Sequence, residues 1–176
     1  MAKTITVRLN EQSIDEAIAQ LDEYVQSLKL KCQRLAQLVA ERIAWSASQG
    51  FSSAIADDIF TTGDRPSPNV SVSVEDNGNL QIVIASGSDA VFVEFGAGVY
   101  YNGAAGSSPH PDGAEYGFLI GEYGKGKGKN NVWALPGSTK KAPILTHGTP
   151  AAMPMYHGLQ DALNVITDLA QEVFAQ

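Results

Sequence analysis

Few residues in this chain have the type and spacing that chemistry needs. The histidines are His110, His147 and His157, and the only cysteine is Cys32. No His-Glu-x-x-His sequence occurs, and no two histidines sit four apart on one helical face, so a zinc site would need ligands from distant segments. Cys32 falls on an apolar helical stripe, where a thiol is expected to be buried and inert. A strained Gly-x-Ser-x-Gly nucleophile turn is missing. The run Gly124-Lys125-Gly126-Lys127-Gly128-Lys129 invites comparison with a phosphate-binding loop, but none of its lysines precedes a Ser or Thr. His110 and His147 lie in Gly/Pro-rich connections and are expected to be solvated. His157, near the start of the last helix, is expected to pack or cap. A hydrolytic cluster of His110, Asp112 and Glu115 would need tertiary convergence that spacing alone does not supply. The expectation is a protein without a catalytic centre, metal or cofactor.

The elements that would position any site are clearer. Ser13 and Glu16 form a capping-box pattern, in which the serine accepts from the Glu16 amide and the glutamate reaches back. Ile14, Ile18, Leu21, Val25, Leu28, Cys32, Leu35 and Val39 then alternate spacings of four and three. That seven-residue repeat places all eight side chains on one stripe of a helix, extending through Ile43 to about Ser48, with Gly50 as the natural stop. Such a rod is too long for a small domain to bury throughout. Either it packs on the sheet and the C-terminal helix, or part of its stripe meets a neighbouring copy.

Residues 4–9 alternate as a short strand. Phe51, Ile55 and Ile59 suggest a short helix, followed by a loop over 61–69. Val70, Val72 and Val74 mirror Leu80, Ile82 and Ile84 across Asp76-Asn77-Gly78-Asn79, a hairpin whose Asn-Gly residues both tolerate positive φ. Ser86 to Asp89 can cap a short helix over 90–95 ended by Gly96; a strand is the alternative. Residues 97–131 are rich in Gly, Ser, Asn, Pro and Tyr and read as a long insertion. Val132 to Leu135 resembles a strand, and Ala151 to Gln176 a helix with Pro154 in its first turn. These elements predict one α+β domain over 1–176, with a long N-terminal and a C-terminal helix packed on one face of a small antiparallel sheet.

The 176 residues carry a net charge of −7 and an acidic pI of about 4.8. That argues against a free nucleic-acid binder, although an acidic lining would let DNA slide past. A single cysteine excludes a disulfide framework and fits a reducing compartment. No signal peptide and no membrane span are expected. Charge is segregated. Between Pro66 and Glu122 the only charged residues are the acids Glu75, Asp76, Asp89, Glu94, Asp112, Glu115 and Glu122. Lys125, Lys127, Lys129, Lys140 and Lys141 then follow with no acid among them. Such blocks often mark surfaces that meet other charged surfaces. The lysine loop has three readings: contact with DNA phosphate, contact with an acidic face of an adjacent subunit, or a solvated loop without a partner.

Two segments carry a resemblance. Ser88-Asp89-Ala90-Val91-Phe92-Val93-Glu94-Phe95-Gly96-Ala97-Gly98 resembles the Val-Glu-Phe-Gly element of small neck or tail-completion proteins of long-tailed bacteriophages. Thr149-Pro150-Ala151-Ala152-Met153-Pro154-Met155 is similar to the proline-marked lead into that family's C-terminal helix. Ala97 stands where threonine is usual, Met153 and Met155 replace a commoner aromatic, and the insertion over 100–131 is longer than in the shortest members. The motifs cover about 18 residues, while the order of elements covers nearly the whole chain. The resemblance implies a non-enzymatic virion component, assembled in the host cytoplasm, that forms a homo-oligomeric ring between connector or head-closure proteins and tail proteins. Double-stranded DNA would pass through it transiently. It further implies that Val93, Glu94, Phe95, Gly96, Pro150, Met153 and Pro154 are scaffold. Lys125, Lys127, Lys129, Lys140, Lys141, Glu115 and Glu122 would then supply interfaces. Physically, Phe92, Val93 and Phe95 can anchor a short element, and Glu94 among them needs a backbone cap or a lysine unless it faces solvent. The rival outside this class is a small regulatory or protein-binding module.

Overall fold

The computed structural model describes residues 6–54, 68–98, 100–101, 104–105, 110–113, 115–116, 133–134, 145–146, 148–149 and 151–175. It is α+β, as expected. Helix α1 spans Glu11–Ser53, roughly 65 Å at about 1.5 Å per residue. Strands β1 (Ser71–Asp76) and β2 (Gln81–Ser86) form an antiparallel hairpin with Ser71 opposite Ser86 and Asp76 opposite Gln81. Helix α2 is Ala90–Phe95 and helix α3 is Pro154–Phe174. The other strands are two-residue ladders. β3 (Ala97–Gly98) pairs with β8 (Gly148–Thr149), β4 (Tyr100–Tyr101) with β5 (Ala104–Ala105), and β6 (Trp133–Ala134) with β7 (Leu145–Thr146). Among the described residues, the small antiparallel sheet expected from the sequence is the β1–β2 hairpin, and the other pairings are two residues long. Of the residues assigned to the Gly-rich insertion, 97–98 form β3, 100–101 and 104–105 form the β4–β5 pair, and 110–113 and 115–116 lie in turns.

The cap of α1 lies three residues before the expected one. The Asn10 side chain accepts the Ser13 N–H at 2.9 Å. Ser13 Oγ in turn accepts the Arg8 N–H at 2.9 Å, so Ser13 braces the incoming chain from inside the first turn. Glu16 is held by Gln12, whose side chain donates to it at 3.1 Å. Residues 6–9 form no strand; Arg8 spends its N–H on this cap, and residues 4–5 lie outside the described set. α1 also runs through Gly50. That glycine is a place of close approach rather than a stop: a Cβ there would meet Pro154 Cβ at 2.9 Å. Phe51 belongs to α1 and is buried, while 55–61, assigned to a separate short helix, falls outside the described residues.

α3 runs antiparallel along the C-terminal part of α1. Pro154 meets Gly50, and a Cβ on Gly158 would come 2.9 Å from the Ile43 carbonyl. Ser46 Oγ donates to Asp161 at 2.6 Å. Val173 lines a groove with Leu30, Arg34 and Leu38. Ala40 and Ala47 on α1, and Gly158 and Ala162 on α3, are buried. Small residues let the two backbones close up and gain dispersion contacts along the seam. The hairpin lies on α1 as well, with Gln33 donating to Asn79 at 3.2 Å. Only Gly78 in its turn has positive φ, at 74°, so Asn77 does not share that conformation as expected. Asp76 fastens the turn by accepting from the Gly78 N–H and the Gln81 side chain.

The stripe on α1 is divided. Ile14, Ile18, Leu21, Val25, Leu28 and Cys32 are exposed, whereas Leu35, Val39 and Ile43 are half-buried where α3 and the hairpin lie along α1. The expectation of a buried Cys32 is corrected: α3 ends, and the hairpin tip is reached, at about its level on the rod. Among the described residues, no helix is long and apolar enough to cross a membrane.

Candidate functional site: a carboxylate that joins two distant segments

α2 is a single anchoring turn-and-a-half. Val93 is 1% exposed and Ala90 is buried. Asp89 does not cap it as expected; its carboxylate accepts the Asn69 N–H at 2.8 Å and the Ser88 hydroxyl at 3.2 Å. Gly96 ends the helix at φ 81°, ψ 159°. That region is essentially closed to residues with a Cβ, so glycine is required for the sharp exit into β3.

Beyond Gly96 the chain zips against the lead into α3. Ala97 pairs with Thr149 and Gly98 with Gly148, and the Ala152 N–H donates to the Val93 carbonyl at 2.9 Å. Glu94 completes the join. It is 6% exposed, and its two carboxylate oxygens accept the Met155 N–H at 2.8 Å and the Tyr156 N–H at 2.9 Å. At the start of α3, Pro154 has no N–H, Glu94 takes the next two, and the His157 N–H reaches the Met153 carbonyl. Met153 precedes the helix at φ 52° and offers no side-chain cap, so a carboxylate from another helix does the capping. Its charge also suits the positive end of the α3 dipole. Of the partners expected for Glu94, the structure selects the backbone cap.

His110 is the residue that sequence reasoning placed wrongly. It is 8% exposed, not solvated. Its Nδ1 accepts the Asp112 N–H at 3.1 Å, and its Nε2 lies 3.3 Å from Glu94 Oε1. The ring stacks tilted on Phe95 at 4.3 Å and meets Tyr156 edge-on at 5.5 Å. Residues 110–113 form a turn, with the Gly113 N–H donating to the His110 carbonyl. Nothing local encoded that it would dock on Glu94.

Beside this cluster opens an apolar groove of about 810 Å³ between the hairpin, α2 and α3, lined among others by Val83, Ala85, Phe95, Tyr116 and Leu159. Of the hydrolytic cluster considered above, His110 and Asp112 line it and Glu115 does not. His110 is turned to Glu94 and its own turn, while Asp112 and Glu115 are exposed. No group of metal-ligating side chains occurs among the described residues. His157 is exposed with its ring edge-on to Tyr156, rather than packed in the core or capping.

The structure thus brings together Val93, Glu94, Phe95, Gly96, Met153 and Pro154, which lie 60 residues apart between Val93 and Met153. Glu115 is exposed. Lys125, Lys127, Lys129, Lys140, Lys141, Glu122, His147 and Pro150 lie outside the described residues. Compared with known proteins, the chain matches no family model, no curated protein and no solved structure.

Proposed function

We propose that this chain is a structural protein of a bacteriophage head–tail junction: a neck, tail-completion or tail-terminator component in a ring that joins the capsid connector to the tail and lets DNA pass. The observation that supports it most is the union of the two motif segments. The residues that carry the resemblance, Val93 to Gly96 and Met153 to Met155, meet through the Glu94 cap and the β3–β8 pairing. Their spacing in sequence is therefore answered by a shared structural task, to fix the start of the C-terminal helix. The exposed apolar half of α1 adds support, because a rod projecting past its own core suits a chain whose remaining contacts come from other subunits.

In this reading the protein acts by position. Ring contacts are head-to-tail and close by rotation, the acids between Glu75 and Glu122 other than the buried Glu94 face the lysines from Lys125 to Lys141 of a neighbour, and passing DNA is not held. Replacing Lys125, Lys127 and Lys129 together with glutamate blocks joining of tails to heads in a complementation assay. Negative-stain images of the purified chain mixed with connector and tail proteins show it at the junction. Normal infectious particles from the triple variant remove the lysine loop from the mechanism, and failure to associate with either partner removes the proposal.

A second reading, a small protein-binding module, is favoured by the open apolar groove beside Phe95 and Tyr116. It predicts a compact oligomer that ignores head and tail proteins in the same mixing experiment.

A further inference from the structure

The first twenty or so residues of α1 carry a helix-pairing code without a partner helix among the described residues. Ile14, Ile18, Leu21, Val25, Leu28 and Cys32 are all exposed; Leu21 is 51% and Val25 57% exposed. Between Glu11 and Leu30 only the small Ala17 is buried. The spacings of four and three are those with which one helix seats side chains in the gaps of another, and a flat surface does not demand them.

The charges on the same segment say which helix fits and in which direction. Within α1, Glu11, Asp15, Glu16, Asp22 and Glu23 come before the first lysine, and then Lys29, Lys31 and Arg34 follow with no acid between them. The dipole of α1 itself does not account for this, since its effect fades within the first and last turns. A parallel copy would set acid against acid and base against base. An antiparallel copy sets the acidic end of each helix against the basic part of the other. It also places the two bulky bodies, which begin where Val173 and Asn79 reach α1, at opposite ends of the pair.

We propose that two copies of this chain pair through residues 11–34 of α1 as an antiparallel two-helix coil, with Ile14 of one copy beside Cys32 of the other. In that register Asp15 and Glu16 of each copy lie near Lys29 and Lys31 of its mate, and Glu11 near Arg34. The two-fold axis passes close to Glu23. This pairing does not rest on the head–tail reading. If both hold, the pair is the form in which the free protein covers its stripe before assembly.

Sedimentation of the full chain at micromolar concentration tests it. The expected result is a dimer that Leu21→Asp with Val25→Asp converts to monomer. Because those changes can also fray the projecting helix, charge reversal supplies an independent arm. Lys29→Glu/Lys31→Glu and Asp15→Lys/Glu16→Lys each raise the dissociation constant about tenfold or more, and mixing the two variants restores tight pairing. Direction is read by cross-linking. Ile14→Cys, treated with copper phenanthroline as oxidant, gives a covalent dimer as each new thiol and a Cys32 thiol lose their protons and electrons to the reagent and join. The wild-type chain, with Cys32 facing Ile14, gives none. A monomeric wild type, a dimer indifferent to these variants, or a Cys32–Cys32 dimer in the wild type overturns the proposal. A dimer that never joins tails leaves the pairing standing and removes the head–tail reading; a monomer that joins tails does the reverse.

Discussion

Glu94→Ala is the perturbation that weighs the join between the two halves of the fold. The substitution strips two backbone donors, the Met155 and Tyr156 N–H groups, of acceptors at 2.8 and 2.9 Å, and removes the partner 3.3 Å from His110 Nε2. Loss of a helix cap typically costs about 0.5–2 kcal/mol, and each stranded buried donor about 1–3 kcal/mol. The open groove beside the site lets water reach part of it, which brings the sum to about 3 kcal/mol. Glu94→Gln keeps one acceptor but turns an amide N–H₂ toward a donor and removes the charge from the helix terminus, for a cost of about 1.5 kcal/mol. The measurement is urea unfolding followed by circular dichroism at one fixed protein concentration, with the denaturant slope checked for constancy. For a chain of this size the alanine variant should also melt roughly 6–12 °C lower. His110→Ala should fall between wild type and Glu94→Ala, because it removes one contact to the carboxylate and leaves the cap in place. If Glu94→Ala lies within about 0.5 kcal/mol of wild type, the range of an ordinary surface substitution, the capping argument is refuted.

Other sites make separate expectations. Gly158→Ala gains helix propensity of about 1 kcal/mol but drives a Cβ to 2.9 Å from the Ile43 carbonyl. Backbone cannot yield as a side chain can, so the net effect is a loss of about 1–2 kcal/mol by the same unfolding assay. Gly96→Ala forces a side chain into φ 81°, ψ 159° and should cost about 1–3 kcal/mol, seen as a lower melting temperature. Ser46→Ala leaves the Asp161 carboxylate without its 2.6 Å donor across the α1–α3 seam, worth about 1–2 kcal/mol in a double-mutant cycle with Asp161→Ala.

The sequence alone carried the helices, the hairpin and the short element ended by Gly96, because each is written in local periodicity or in a residue whose backbone freedom is required at that point. The seven-residue repeat carried by eight side chains from Ile14 to Val39 identified α1, and the proline after Met153 marked the start of α3. For Glu94 the sequence left three surroundings open, a backbone cap, a lysine or solvent, and only the start of α3 decides among them.

What occupied each partner's place was decided only in three dimensions. Gly50 reads locally as a helix stop, yet Pro154, about a hundred residues on, lands against it and the helix continues. Ser13 reads as a cap, yet Asn10 takes that position because its side chain meets the Ser13 amide while Ser13 holds Arg8. Cys32 belongs to the apolar stripe by spacing, but burial depends on how far α3 and the hairpin reach along the rod, and they stop at its level. His110 sits in a turn that any solvated loop could adopt, and only the convergence of α2 with the start of α3 supplies the carboxylate and aromatic rings that bury it. Periodicity fixes which face of an element is apolar. Which of those faces is covered, and by what, follows from lengths and long-range contacts that no local pattern contains.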